Sequence, residues 1–403
     1  MRSGRHRRLL GALVIAVGAA LTGTPGAVAQ PVYPAPDPDP FYATPPDIGA
    51  TPPGEVLAAR DQPPLPYFPT ATVTLLKFRS SDSQGDPIAA TTTVLTPAGH
   101  RPGAPLLSYQ HIINGLGTGC AVSHGLYDYD PNLLYRAVPL INAMLLRGWS
   151  VALPDHLGPT AAYGAARLGG QITLDGIRAA QRLPRLGLAD SPVAMLGYSG
   201  GGMATAWAAA LAPSYAPELR LAGAAAGGVP ANISAMARGL GLNPHPMFGL
   251  AMAAALGLER EYPERLPISD QLNDEGRRIR DAMTDACTYE LIALGAMRSA
   301  RELARSVSLI DDPRVWEVSA ENSLEYFPGI PAAPIFEWHT PTDPLIPIDS
   351  VDRTNRRYCA AGVRVWSELY PSPDHLATAV LGFPSAVNWL DARFRGEPAP
   401  SNC

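Results

Sequence analysis

The segment Gly197-Tyr198-Ser199-Gly200-Gly201 constrains this chain more than any other part of it. It joins an apolar, strand-like run, Pro192 to Tyr198, to an Ala-rich helical stretch that begins just after Ser199. A serine in G-x-S-x-G between a strand and a helix sits on a sharp, strained turn, and small neighbours are needed for that turn to close. The turn lifts the hydroxyl clear of the sheet and points the Gly200 amide, at the positive end of the helix, toward an incoming carbonyl. The competing reading is a purely structural glycine turn. The strand before and the helix after favour the nucleophile.

The flanking sequence supplies the layers such a turn requires. Residues 71–80 and 88–97 are rich in β-branched side chains and separated by SDSQGDP, which predicts a hairpin. Strands follow at 104–110, 149–154, 192–198 and 219–227, with helices near 133–147 and 173–183 and after Ser199. The rhythm returns at 335–339, 348–360 and 363–369, and ends in a helix over 376–394. Antiparallel pairing followed by β/α alternation predicts a mostly parallel sheet flanked by helices on both faces. Residues 229–330 interrupt it with a helical pattern, apolar from Met247 to Leu258 and charged from Glu259 to Asp281, and read as an inserted helical cap. That divides the chain into a core of 71–228 and 331–403 around a cap of 229–330. Residues 30–70, rich in Pro, Asp and Thr, are either a tail or an arm anchored by Phe41 and Tyr42.

A serine hydroxyl is a weak nucleophile without a base, and the base needs an acid to orient it. On a strand-turn-helix elbow these follow in the order Ser, acid, His. Only His245, His339 and His375 come after Ser199. His245 lies in the insertion and His339 ends a strand ahead of every suitable acid. His375 lies just past the last strand, where the base belongs. Asp343, four residues beyond the penultimate strand, is the acid. Asp349 and Asp352 fall on the next helix, and Asp374 reads as a loop or capping residue. Asp155 precedes the nucleophile and reads as a loop-fixing carboxylate. The second oxyanion donor, beside Gly200, belongs between Gln110 and Gly117, with Asn114 as the candidate. His111 and His124 flank that loop.

The N-terminus carries an export signal: Arg2, Arg5, Arg7 and Arg8, an apolar run from Leu9 to Leu21, and the small-residue site Ala27-Val28-Ala29. The run is shorter than the roughly 20 residues of a membrane span. Cleavage after Ala29 removes four arginines and no acids, moving the formal charge from −5 to −9. An acidic chain without a basic run is a poor partner for nucleic acid. Cys120, Cys287, Cys359 and Cys403 form an even set in an exported chain, which predicts two disulfides with three connectivities open. With no C-x-x-C and no H-E-x-x-H, no metal site is expected.

Gly197 to Leu219 (GYSGGGMATAWAAALAPSYAPEL), His339 to Pro347 (HTPTDPLIP) and Asp374-His375-Leu376 together resemble the secretory lipase family, of the lipase A type. Asp39 to Tyr42 and Pro53 to Leu57 extend the resemblance over almost the whole exported chain. The resemblance implies an α/β-hydrolase fold, a triad of Ser199, Asp343 and His375, no cofactor, and a cap over an acyl pocket. It implies a lipid or small ester substrate, with transient contact at a lipid interface. It also favours pairing Cys120 with Cys287 and Cys359 with Cys403. Family members often carry Asp at the place of Asn114. Met236, Met247, Phe248 and Met252 would give the cap a flexible apolar lining, unless they pack its own core. An acyltransferase or peptidase using the same triad, or a non-catalytic binding protein on this fold, are the alternative readings; oligomeric state is not set by the sequence.

Overall fold

A computed structural model describes residues 30–112, 115–131, 133–306 and 312–403. The proposed signal segment 1–29 and Asn114 lie outside them. The β-branched runs form a long hairpin in which β2 (Ala71–Ser81) and β3 (Pro87–Pro97) pair antiparallel from Ala71 opposite Pro97 to Ser81 opposite Pro87. The sheet continues through β4 (Leu106–Gln110), β5 (Ser150–Pro154), β6 (Val193–Tyr198), β7 (Leu221–Gly227), β8 (Ile335–His339) and β9 (Val365–Leu369). Its order is β1-β2-β3-β5-β4-β6-β7-β8-β9, and every pair from β5 through β9 is parallel. The outermost strand, β1 (Val56–Gln62), pairs antiparallel with β2. It falls inside the segment read from sequence as an arm. Residues 33–44 ahead of it pack onto the body, with Arg60 over the Phe41 ring and the Tyr42 hydroxyl 3.0 Å from Ser123 Oγ.

Alternation along β6 shows how the sheet is buried on both sides. Val193 and Met195 join the core beneath α2 (Ala166–Arg182) and α3 (Gly200–Tyr215). Ala194, Leu196 and Tyr198 join the opposite core, beneath α1 (Val138–Leu145) and α10 (His375–Phe394). Between β7 and β8 the described residues contain helices and no strand of the sheet. These are α4 (Ile233–Gly241), α5 (Phe248–Glu261), α6 (Asp274–Met283), α7 (Thr288–Gly295) and α8 (Pro313–Glu321), with shorter turns between them. The remaining helix, α9 (Ile348–Ala360), links β8 to β9. No helix among the described residues is long and apolar enough to cross a membrane.

Both disulfides form with the pairing the resemblance favoured, Cys120 to Cys287 and Cys359 to Cys403. The second ties the end of α9 to the C-terminal segment, which covers the open edge of β9. Asn402 N donates to Val365 O (3.0 Å), while its side chain exchanges bonds with Ser367 N and O (2.9 and 2.8 Å). An uncovered edge is a template for intermolecular pairing. Replacing both Cys359 and Cys403 by serine opens a 44-residue loop. By the chain-entropy relation this costs about 4 kcal/mol. The expected result is a lower melting temperature with more aggregation, measured by calorimetry and light scattering. An unchanged melting temperature would show that the tail holds the edge without its staple.

Candidate functional site

The site begins at the turn between β6 and α3. Ser199 has φ +55° and ψ −122°, a region that side-chain-bearing residues rarely occupy and that costs on the order of 1–3 kcal/mol. The turn closes because its neighbours lack side chains: a β-carbon at Gly197 would overlap the Gly201 carbonyl, and one at Gly201 would overlap that of Gln110. Ser199 N donates to Gly227 O (2.9 Å), which anchors the turn to β7. Gly200 is the first residue of α3, where backbone N–H groups have no partner within the helix.

The acid and the histidine reach this turn from two other strand ends. Asp343 Oδ2 lies 2.6 Å from His375 Nδ1, and Asp343 Oδ1 accepts from the amides of Leu345 (2.8 Å) and Ile346 (2.9 Å). Both oxygens are therefore occupied, which fixes the carboxylate's rotamer. Burial alone would raise the Asp343 pKa. The hydrogen bond and charge of His375, with the two amides, outweigh it and hold the carboxyl below its ordinary range. His375 opens α10, capped by Asp374, whose side chain accepts from Ala377 N at 2.6 Å. His375 Nε2 is buried and has no hydrogen-bond partner. His375, Ser199 and Gly200 all line one cavity of about 210 Å³.

Other candidates go elsewhere. His339 is buried against Glu337, with Nδ1 2.7 and 2.9 Å from its two carboxylate oxygens. His245 Nδ1 accepts from Met247 N. Asp349 and Asp352 lie on α9. Asp155 fixes loops, accepting from Ser123 N (3.0 Å) and Thr91 Oγ1 (2.6 Å). A second cavity, of about 410 Å³, lies under the N-terminal arm. Tyr33 and Asp37 line it from the arm and His124 and Asp155 from the body, and Ile112 borders both cavities. There His124 Nε2 lies 2.6 Å from Asp37 Oδ2. His111 is buried with neither ring nitrogen bonded, and burial pushes it down to about 3, so it stays neutral.

Of the four residues expected to soften the cap's lining, Met236 and Met247 face the cavity that Ser199 and His375 share. Phe248 and Met252 do not. Helix α5 turns Leu250, Ala251, Ala254, Ala255 and Leu258 toward the cavity, while Phe248 and Met252, on its other face, are buried in packing. Three neighbours of the site escaped the sequence reading. The Tyr198 hydroxyl donates to His375 O at 2.6 Å and so sets the backbone that carries the imidazole. Arg136 and Tyr289, 3.5 Å apart, also border the cavity. Position x of a motif and two isolated polar residues carry no sequence signal.

The family model for secretory lipases matches residues 136–402. The chain belongs to the secretory lipase family. Lipase A of the fungus Arthroderma benhamiae is 34% identical, over 91% of this chain and 81% of that protein. A probable inactive lipase of Mycobacterium tuberculosis is 32% identical, over 90% of this chain and 83% of that protein. Candida antarctica lipase A, solved in its closed state, superposes with a TM-score of 0.83 at 28% identity, covering 92% of this chain and 90% of that one. The esterase LipA of Xanthomonas oryzae, at 14% identity and a TM-score of 0.69, shares the α/β-hydrolase fold. This secretory lipase is accordingly a carboxylic ester hydrolase acting on lipid or ester substrates.

The depressed Asp343 carboxyl predicts a pH signature. The folded carboxyl ionises at lower pH than the unfolded one. Its contribution is complete above the unfolded value of about 4 and is lost as the pH falls through the depressed folded value. Denaturation of the parent and of Asp343→Asn between pH 3 and 7 should show a constant gap at neutral pH that narrows under acid conditions. A gap that widens toward acid would contradict this assignment.

Proposed function

We propose that the exported form of this lipase, released by cleavage after Ala29, hydrolyses carboxylic esters through an acyl-enzyme on Ser199. His375 Nε2 takes the Ser199 proton as Oγ bonds to the ester carbonyl carbon. Asp343 keeps the imidazole oriented and stabilises its cation. The Gly200 amide faces the resulting oxyanion, with Asn114 as the candidate for a second donor. Collapse of the tetrahedral species breaks the bond to the alcohol oxygen, which receives the proton from His375. Water then repeats the sequence, with His375 as its base, and releases the acid.

The observation that carries this reading is the His375–Asp343 pair. Its far nitrogen is buried and unbonded in the cavity that Ser199 shares from a strained turn. Backbone strain that the surrounding structure maintains at one residue points to a functional constraint there, and the unbonded imidazole nitrogen in the same cavity is available to take the serine proton. The cavity's apolar lining from α4 and α5 favours an acyl chain over a peptide.

A fluorophosphonate probe should phosphonylate Ser199 and lose labelling in Ser199→Ala, and Asp343→Asn should lower kcat by roughly 10⁴-fold. Labelling at another residue, or none in folded protein, would overturn the mechanism. For the cap, replacing Met236 and Met247 by serine should depress turnover of long-chain nitrophenyl esters and spare the acetate. Equal losses on both, in folded protein, would remove the cap from acyl selection.

A further inference from the structure

We infer that Arg260, at the end of α5, is a positioning residue for the loop that follows β4, where the second oxyanion donor is expected. The inference rests on the proposed use of Ser199 and His375. Arg260 is 4% exposed, and among the described residues no carboxylate is hydrogen-bonded to it, although the charges of Asp285 and Glu259 lie near. Its guanidinium is directed at five backbone carbonyls instead. Nη1 donates to Leu116 (2.6 Å), Thr160 (3.0 Å) and Ala161 (3.3 Å), Nη2 to Thr284 (2.9 Å) and Nε to Val32 (2.9 Å). Burial lowers its pKa to about 10, which leaves it charged at neutral pH. A buried cation is costly, and planar multi-directional donation is what a guanidinium offers that an ammonium does not. The shortest of these bonds goes to the loop after β4.

The two ends of that loop are held by different parts of the molecule. At its start, His156 Nε2 donates to His111 O (2.8 Å), and Gln110 Oε1 accepts from Thr205 Oγ1 (2.7 Å) on α3, the helix that begins just after Ser199. At its far end, Thr118 Oγ1 donates to Ala35 O of the arm (3.1 Å) and four further ties run to the insertion. Arg260 holds Leu116 O, Leu116 N donates to Ala286 O (2.9 Å), Gly115 bridges to Cys287, and Cys120 is bonded to Cys287. Residues 111 and 116 are thus fixed from opposite sides. The insertion packs closely on the core here: a β-carbon at Gly257 of α5 would overlap the Tyr163 backbone. Helix α5 therefore both lines the catalytic cavity and, through Arg260, sets the loop beside the nucleophile.

The test uses Arg260→Met and Arg260→Lys in the full exported enzyme, with nitrophenyl butyrate as substrate. It is paired with two inhibitors of equal length: a trifluoromethyl ketone, which adds serine to form an oxyanion, and the plain methyl ketone, which does not. Arg260→Met should lower kcat by about 10- to 100-fold with KM unchanged. Affinity for the trifluoromethyl ketone should fall by the same factor and that for the methyl ketone should hold. An unchanged kcat would overturn the inference. So would parallel losses in KM and in both ketones, which would mark Arg260 as packing alone. If Arg260→Met does not fold, Arg260→Lys decides, since it keeps the cation and loses the planar fork; a kcat equal to the parent's overturns the inference. Failure of the parent enzyme to be phosphonylated at Ser199 would instead overturn the reading of the site itself.

Discussion

Everything in the site depends on how closely α3 approaches the strand ends. The turn at Ser199 closes only because Gly197 and Gly201 leave their neighbours' carbonyls unobstructed, and because the sheet holds the strained backbone from both sides. Strain of this kind persists only where the surroundings over-determine it. Here the Ser199 amide is bonded to Gly227, and Gln110 of the adjacent strand is bonded to Thr205 one turn into α3. Displacing either strand would change where the serine hydroxyl points. The fully buried β4, β5 and β6 therefore act as the mount for the chemistry as well as the centre of the core.

The insertion between β7 and β8 is joined to this mount by unusual means. Glu259, Arg260 and Glu261 are consecutive charged residues at the end of α5, and all three are buried. Each has a separate task. Glu259 accepts from the Ser269 amide and hydroxyl within the insertion, and Glu261 accepts from Ser83 N in the β2–β3 hairpin. Arg260 gathers carbonyls from the arm, from two loops of the core and from the insertion. Buried charge is tolerable here because its hydrogen-bonding capacity is met by groups fixed elsewhere. The result is a helix whose one face lines the cavity and whose end is locked to the sheet domain.

Family membership and catalysis rest on different observations in this lipase. A relative bearing the description of a probable inactive lipase is about as similar to it as fungal lipases are. Overall likeness therefore gives the family and its reaction class, and does not identify the residues that carry the reaction. In the proposed mechanism turnover rests on local features: the Asp343 carboxylate with both oxygens bonded, the imidazole nitrogen left without a partner, and the serine on its turn. These are properties of a few side chains, set by three strand ends and one helix start.

Much was legible in the sequence because it is local or ordered along the chain. The G-x-S-x-G turn announces itself through its glycines and flanking periodicities. Chain order then isolates Asp343 and His375, and the structure places their side chains in contact. The hairpin, the strands at 193–198, 221–227 and 335–339, and the helix over 348–360 lie within about two residues of their predicted bounds, because apolar period decides them. What escaped is what depends on long-range packing. The strand β1 lies in a proline-rich stretch and exists only by pairing with β2. Residue counts left three disulfide pairings open, and only proximity in the fold, anticipated by family likeness, selects one. Phe248 and Met252 are as apolar as Met247, but the rotation of α5 against its neighbours turns them from the cavity. Glu259 to Glu261 reads as part of a charged stretch, and tertiary contacts alone turn it into a buried clamp. Periodicity specifies that a helix has two faces; which face meets the substrate and which charges are buried is decided by what the rest of the chain brings against it.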